Sequence, residues 1–152
     1  MDGEFQIEQL GTREIPEQAK AFWREHGYIV LKNAAPRELI ERVNVLMDNH
    51  RRKSGESKDA QGFGDRVGML HQRSPDCLRL AAQPNVMNFL RWAMDDDPLL
   101  MGSLNFEKGT QQDEHIDSIF FYTEPMYAMC GVWFALEDVH EDAGPLFYGN
   151  RR

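Results

Sequence analysis

The feature that most constrains the fold of this chain is a change of sequence pattern near residue 99. Before it, apolar residues recur at helical spacing. After it, apolar and aromatic residues form short runs separated by Gly, Asp, Glu and Pro. Four of these runs are candidate strands: Leu99 to Phe106, Ser118 to Tyr122, Met126 to Leu136 and Pro145 to Tyr148. A block of helices followed by a block of strands predicts an α+β domain, with helices packed on an antiparallel sheet.

The first half carries local start and stop signals for four helices. Proline opens a helix where its missing N–H costs nothing, serine caps one, and glycine or a run of aspartates ends one. Helices are therefore predicted from Glu14 to Gly27, from Pro36 onward, from Pro75 to Ala82, and from Pro84 to Asp95. A short strand is predicted at Tyr28 to Leu31, a loop from His50 to Gly68, and a solvated turn at Asp95 to Asp97.

Composition excludes several classes of protein. A net charge of −8 on 152 residues argues against a nucleic-acid binder, which needs a basic face. The longest nearly apolar run, Met126 to Leu136, is far shorter than the roughly 20 residues that span a bilayer. The N-terminus has no secretory pattern, and the isolated Cys77 and Cys130 form neither a disulfide framework nor a CxxC site. We therefore expect one cytoplasmic domain over residues 1–152, either an acidic enzyme or a binding domain.

The triplet His115-Ile116-Asp117 is the main candidate for chemistry. In extended backbone, residues i and i+2 project from the same face, so the imidazole and the carboxylate converge. Such a pair supplies two of the three ligands of a facial Fe(II) site, which leaves other positions open. A simple surface salt link is the alternative, because the triplet also occurs by chance.

The order of several motifs resembles the phytanoyl-CoA dioxygenase family. These motifs are Gly109-x-x-Gln112 ahead of the triplet, Val132 to Val139, Ala143-Gly144-Pro145-Leu146, and the N-terminal stretch Phe22 to Leu31. The resemblance implies a non-haem iron oxygenase on a double-stranded β-helix, a jelly-roll of the cupin type. Such an enzyme uses Fe(II), 2-oxoglutarate and molecular oxygen to hydroxylate a small organic substrate, with no nucleic acid or membrane involved.

The same resemblance assigns roles to individual residues. His115 and Asp117 match the first two iron ligands. Asn105 and Trp133 are expected near 2-oxoglutarate, although a structural asparagine and a core tryptophan are the alternatives. Gln112 is a candidate partner that orients a ligand, or simply an exposed glutamine.

The resemblance also predicts an incomplete site. The third iron ligand, a histidine, and the arginine that binds the far carboxylate of 2-oxoglutarate are expected beyond residue 152; His140 is a weak substitute. The chain is therefore expected to be a C-terminally truncated domain, weakly active or inactive. The alternative is a non-catalytic β-rich binding module that keeps the oxygenase scaffold. An open sheet edge and uncovered Val132, Phe134 and Leu136 would favour self-association.

Overall fold

The structure, a computed structural model, describes residues 4–6, 14–54, 66–106, 114–143 and 145–149. The elements in chain order are β1 (Glu4–Gln6), α1 (Glu17–His26), β2 (Val30–Lys32), α2 (Arg37–Ser54), β3 (Arg66–Gly68), α3 (Pro75–Ala81), α4 (Pro84–Met94) and β4 (Leu104–Phe106). Short 3₁₀ turns lie at Leu70–Gln72, Asp117–Ile119 and Glu141–Ala143. None of the helices in these ranges combines the length and the apolar character needed to cross a membrane.

The helices begin and end close to the predicted signals. Gly27 follows α1 in the left-handed conformation, with φ of 78°, and its N–H donates to the Trp23 carbonyl at 2.8 Å. Ser74 caps α3 through a hydrogen bond of 3.3 Å from the Cys77 N–H to its Oγ. Asp95, with φ of 53°, ends α4. These predictions are confirmed because each signal acts within one or two turns of chain.

The predicted loop from His50 to Gly68 is wrong at both ends. Helix α2 continues to Ser54, and its last turn carries Arg51, Arg52 and Lys53, whose charges favour a helix C-terminus. Residues 66–68 form β3. The middle of the predicted loop lies outside the described residues.

The strands form two small sheets. β1 pairs with β2 in parallel, with Phe5 opposite Leu31. β3 pairs with β4 in antiparallel, with Val67 opposite Asn105. The molecule is therefore α+β. The antiparallel pairing is limited to three residues on each strand, and of the predicted run Leu99 to Phe106 only the last three residues form a strand.

The other three candidate strands are not strands in the structure. Residues 118 and 119 belong to a 3₁₀ turn, and neither 126–136 nor 145–148 enters a sheet. A strand requires a partner for its N–H and C=O groups, and the described residues offer these runs no ladder. Their composition is typical of strands, but composition alone does not provide the partner.

The core consists of two apolar clusters built mainly from helices. The first joins α1 to α4 through Ile15, Ala19, Val86, Phe89 and Leu90. The second joins α2 and α3 through Leu39, Val43, Met47, Leu70 and Leu80, with Val67 of β3 packed against it.

Residues 130–136 form a segment that packs against both apolar clusters. Cys130 packs on the first, Leu136 on the second, and Phe134 on both. Asn44 of α2 donates a hydrogen bond of 2.8 Å to the Leu136 carbonyl. Phe134 and Leu136 are thus partly covered, contrary to expectation, whereas Val132 is exposed. This segment runs from the helical core to the residues of the candidate site.

Candidate functional site

The structure brings His115 and Asp117 together. The imidazole Nε2 lies 3.2 Å from Asp117 Oδ1. Ile116 between them has extended backbone, with φ of −113° and ψ of 122°, which directs both neighbours to one side. Asp117 then begins a 3₁₀ turn rather than a strand. The pairing arises from a single extended residue followed by a turn.

Two neighbours restrict this pair. The Phe120 ring meets the His115 ring edge to face, with centroids 5.7 Å apart. Gly131 lies directly against the carboxylate, because a Cβ built there would sit 3.6 Å from Asp117 Oδ2. The side chains are 28% exposed at His115 and 56% exposed at Asp117, so the pair is only partly covered. An alanine Cβ at residue 131 would make an ordinary van der Waals contact with the carboxylate.

Tyr148 and Cys130 complete the surroundings of Asp117. Tyr148 stacks on Tyr28 with centroids 4.9 Å apart and planes 3° from parallel. Burial raises the pKa of the Tyr148 phenol, and the nearby Cys130 and Asp117 raise it further. Burial also raises the pKa of the Cys130 thiol. With no metal bound, both groups therefore stay protonated and neutral at pH 7.

The geometry fits two of the ligands of a small metal ion. An imidazole nitrogen and a carboxylate oxygen suit Fe(II). Neighbouring ligands at about 2.1 Å from an octahedral ion lie about 3 Å apart, close to the observed 3.2 Å. A direct ion pair with protonated His115 has the same distance. Within the ranges that the structure describes, no three His, Cys, Asp or Glu side chains come together as a possible metal site.

A second triplet of the same pattern was missed in the sequence. His140-Glu141-Asp142 also spaces a histidine two residues before an aspartate, and His140 Nδ1 lies 3.3 Å from Asp142 Oδ2. Its histidine side chain is 79% exposed, and it lies at the third 3₁₀ turn. The two pairs share spacing and distance but differ in burial. His140 shows no approach to His115 or Asp117 that would make it their third ligand.

The other candidate residues lie in different surroundings. Asn105 is on β4, and its Oδ1 accepts a hydrogen bond from Nη2 of Arg51 on α2. Trp133 is 47% exposed and alternates with the exposed Gly131 and Ala135, opposite the side that packs on the core. Trp133 is therefore not a core tryptophan in this structure. Gln112 lies outside the described residues.

Arg51 is the residue that sequence reasoning missed. It is half-buried and reaches a strand 54 positions away, a contact for which the sequence contains no local signal. A similar long-range hydrogen bond joins His71 Nδ1 and Ser103 Oγ, which are 2.6 Å apart. Together these contacts hold the segment around β4 against the helices.

Comparison with known proteins bears on the family of the chain. A family model described as "Phytanoyl-CoA dioxygenase (PhyH)" matches residues 23–149. A relative in Danio rerio, "Phytanoyl-CoA dioxygenase domain-containing protein 1", is 31% identical over 83 residues. That match covers 52% of this chain and 28% of the relative, so less than a third of the relative's length is represented. No solved structure matches the chain significantly. Since the family model spans most of the 152 residues, the chain belongs to the phytanoyl-CoA dioxygenase family.

Proposed function

We propose that this chain contributes the first two metal ligands of an Fe(II)- and 2-oxoglutarate-dependent dioxygenase that hydroxylates a small organic substrate. The observation that carries the proposal is the contact of 3.2 Å between His115 Nε2 and Asp117 Oδ1, partly covered and held against Gly131. Family membership supports oxygenase chemistry at this position. The iron and 2-oxoglutarate, when bound, supply the oxidising chemistry, and the protein supplies binding and orientation.

The side chains of this chain have distinct roles in the proposal. The His115 imidazole and the Asp117 carboxylate bind the metal. The exposed side of residues 131–135, which includes Trp133, lines the space next to Asp117, because Gly131 on that side meets the carboxylate. Asn105, held by Arg51, provides a polar group toward 2-oxoglutarate. Gln112 remains a proposed orienting partner.

The wider architecture in this proposal is the double-stranded β-helix of the family, of which this chain supplies an N-terminal part. The third iron ligand and the arginine for the far carboxylate come from outside the described residues. We therefore expect the 152-residue chain to turn over 2-oxoglutarate slowly. Two free cysteines suit a reducing compartment such as the cytoplasm.

The first test is metal binding by the purified chain. Co(II) serves as an Fe(II) surrogate whose visible absorption reports its ligands. We expect weak binding, lowered at least about tenfold by His115→Ala or Asp117→Ala, because each change removes one of two protein ligands. Addition of 2-oxoglutarate should change the Co(II) spectrum, since positions left open by the protein can accept it.

The second triplet is the matched control for this experiment. His140→Ala and Asp142→Ala remove the same side chains, at the same spacing, from an exposed pair. They should leave Co(II) affinity within about twofold of the parent chain, since both side chains of this pair are largely exposed to solvent. Equal loss from both sets of variants, or no Co(II) binding at all, would contradict the assignment and favour a non-catalytic binding module.

A further inference from the structure

An open groove runs along the solvent side of α2. It has a volume of about 790 Å³ and lies between α2 and the segment that leads into α3. On α2 it is lined by a stripe at helical spacing, Glu38, Glu41, Val45, Asn49 and Lys53, and beside this stripe by Arg42, Leu46 and His50. The opposite wall includes Leu70, Arg73 and Asp76. From Glu38 to Lys53 the stripe is about 22 Å long, as 15 steps of 1.5 Å give.

The centre of the stripe is apolar and uncovered. Val45 is 60% exposed, although Val43, two residues earlier, is almost completely buried. Leu46 beside it is half-buried, and Leu70 on the opposite wall is buried. The groove therefore offers an apolar centre with polar and charged ends, which is the usual arrangement of an interaction surface.

The charges at the two ends of α2 have opposite sign. Glu38 lies in the first turn, with Glu41 one turn later, and the last turn carries Arg51, Arg52 and Lys53. Val45 lies seven residues after Glu38 and eight before Lys53, and is thus the midpoint of the stripe. The helix dipole accounts for this order of charges within one chain. The exposed Val45 adds an apolar contact point between these two charged ends.

We propose that this groove is a homodimer interface, in which α2 of a second copy of the chain packs antiparallel against it about a two-fold axis at Val45. In such a pair the two Val45 side chains meet. Glu38 of each copy then faces the basic end of the other helix at Arg52 and Lys53, and Glu41 faces Asn49. A surface that is its own complement under a two-fold axis is what an isologous dimer requires.

The ion pairs that Glu41 and Arg42 form within the chain do not block this groove to a second copy. Glu41 is paired with Arg37 at 3.1 Å, but both side chains are mostly exposed. Arg42 is bound to Asp76 at 3.0 Å, which fixes one wall of the groove and joins α2 to α3. The partner would therefore meet a preformed surface. Because the contact is one helix wide, below the size of stable interfaces, we expect a weak, concentration-dependent dimer.

Sedimentation velocity of the full chain over a range of concentrations tests the charge pairing. Glu38→Lys and Lys53→Glu should each weaken the dimer by about tenfold, since a symmetric interface contains every changed contact twice. The double variant Glu38→Lys/Lys53→Glu should restore the affinity to within about threefold. Both changed positions are exposed, so the fold of all three variants should persist, as circular dichroism would verify.

Cross-linking provides an independent measurement. Val45→Cys should form dimers with a short bismaleimide, well above the level given by the native Cys77 and Cys130. Glu25→Cys, an exposed site on α1, should not exceed that level. Efficient cross-linking only at residue 45, together with rescue by the charge exchange, supports the interface. A monomer at every concentration would overturn the proposal, as would association unchanged by charge reversal, which would point to a different surface.

Discussion

At the scale of single residues, the contact between Arg51 and Asn105 has a measurable consequence. The half-buried guanidinium donates through Nη2 to Asn105 Oδ1. Removing the acceptor with Asn105→Leu should lower the free energy of unfolding by about 1.5–3 kcal/mol, the usual value for a hydrogen bond to a charged group. Asn105→Asp is the matched control, because a carboxylate still accepts from Arg51 and should retain the stability. Urea denaturation measures both, and an unchanged Asn105→Leu variant would rule out a stabilising contact.

That contact also limits how Asn105 can act in the proposed site. Its carbonyl oxygen is directed to Arg51, so its amide Nδ2 is the group left to donate toward a carboxylate of 2-oxoglutarate. Sequence reasoning identified Asn105 but not its partner. The asparagine lies near a recognisable motif, whereas the arginine lies within a helix among other basic residues.

The two histidine–aspartate triplets explain what spacing can and cannot predict. Each gives a nitrogen-to-oxygen distance close to 3.2 Å, because the i and i+2 positions alone bring the side chains together. What separates them is burial, which depends on Phe120 and Gly131 at the first triplet. Burial is set by the tertiary fold, so the pattern itself could not distinguish the two.

At the scale of elements, α1 and α4 are joined through Phe89. Its ring is 3% exposed and meets Trp23 and Trp92 at centroid distances of 5.3 and 5.4 Å. Phe89→Ala should therefore reduce stability by about 3–5 kcal/mol, through lost burial and the cavity left behind. Leu99→Ala, at a site 90% exposed, should change it by less than about 0.5 kcal/mol. Chemical denaturation measures the stability of both variants. Similar losses of stability in Phe89→Ala and Leu99→Ala would mean that the first apolar cluster does not stabilise the fold.

Helices were predictable here and most strands were not, for a physical reason. The ends of α1, α3 and α4 depend on Gly27, Ser74 and the prolines, whose effects are local. The run Met126 to Leu136 has the composition of a strand, but only residues 133–136 alternate between exposed and half-buried side chains. It has no ladder among the described residues, since a ladder depends on a distant partner.

At the scale of the whole molecule, the two halves of the described chain differ in how they are stabilised. Residues 15–90 supply all the members of both buried clusters. Residues 114–149 expose many large apolar side chains instead, including Ile116, Phe120, Tyr127, Trp133 and Phe147. Such a surface promotes association, so both this surface and the α2 groove should be considered when oligomers are measured. The charge exchange at Glu38 and Lys53 distinguishes the two surfaces, because it changes only association through the α2 groove.

The same contrast predicts a gradient of hydrogen exchange along the chain. The amides of α2 and α4 are bonded within helices that pack on the core, so they open only when much of the molecule unfolds. In residues 114–149, the backbone bonds among the described residues are those of short turns, such as Phe120 N–H to the Asp117 carbonyl at 2.9 Å. Amides from Gly131 to Ala135 should therefore exchange at least about a hundredfold faster than that of Leu90. Mass spectrometry of peptides from the two regions, recorded under identical conditions, measures the difference directly. Protection of Gly131 to Ala135 equal to that of α4 would contradict this gradient and would indicate that these amides are hydrogen-bonded in a stable element, as the proposed β-helix requires.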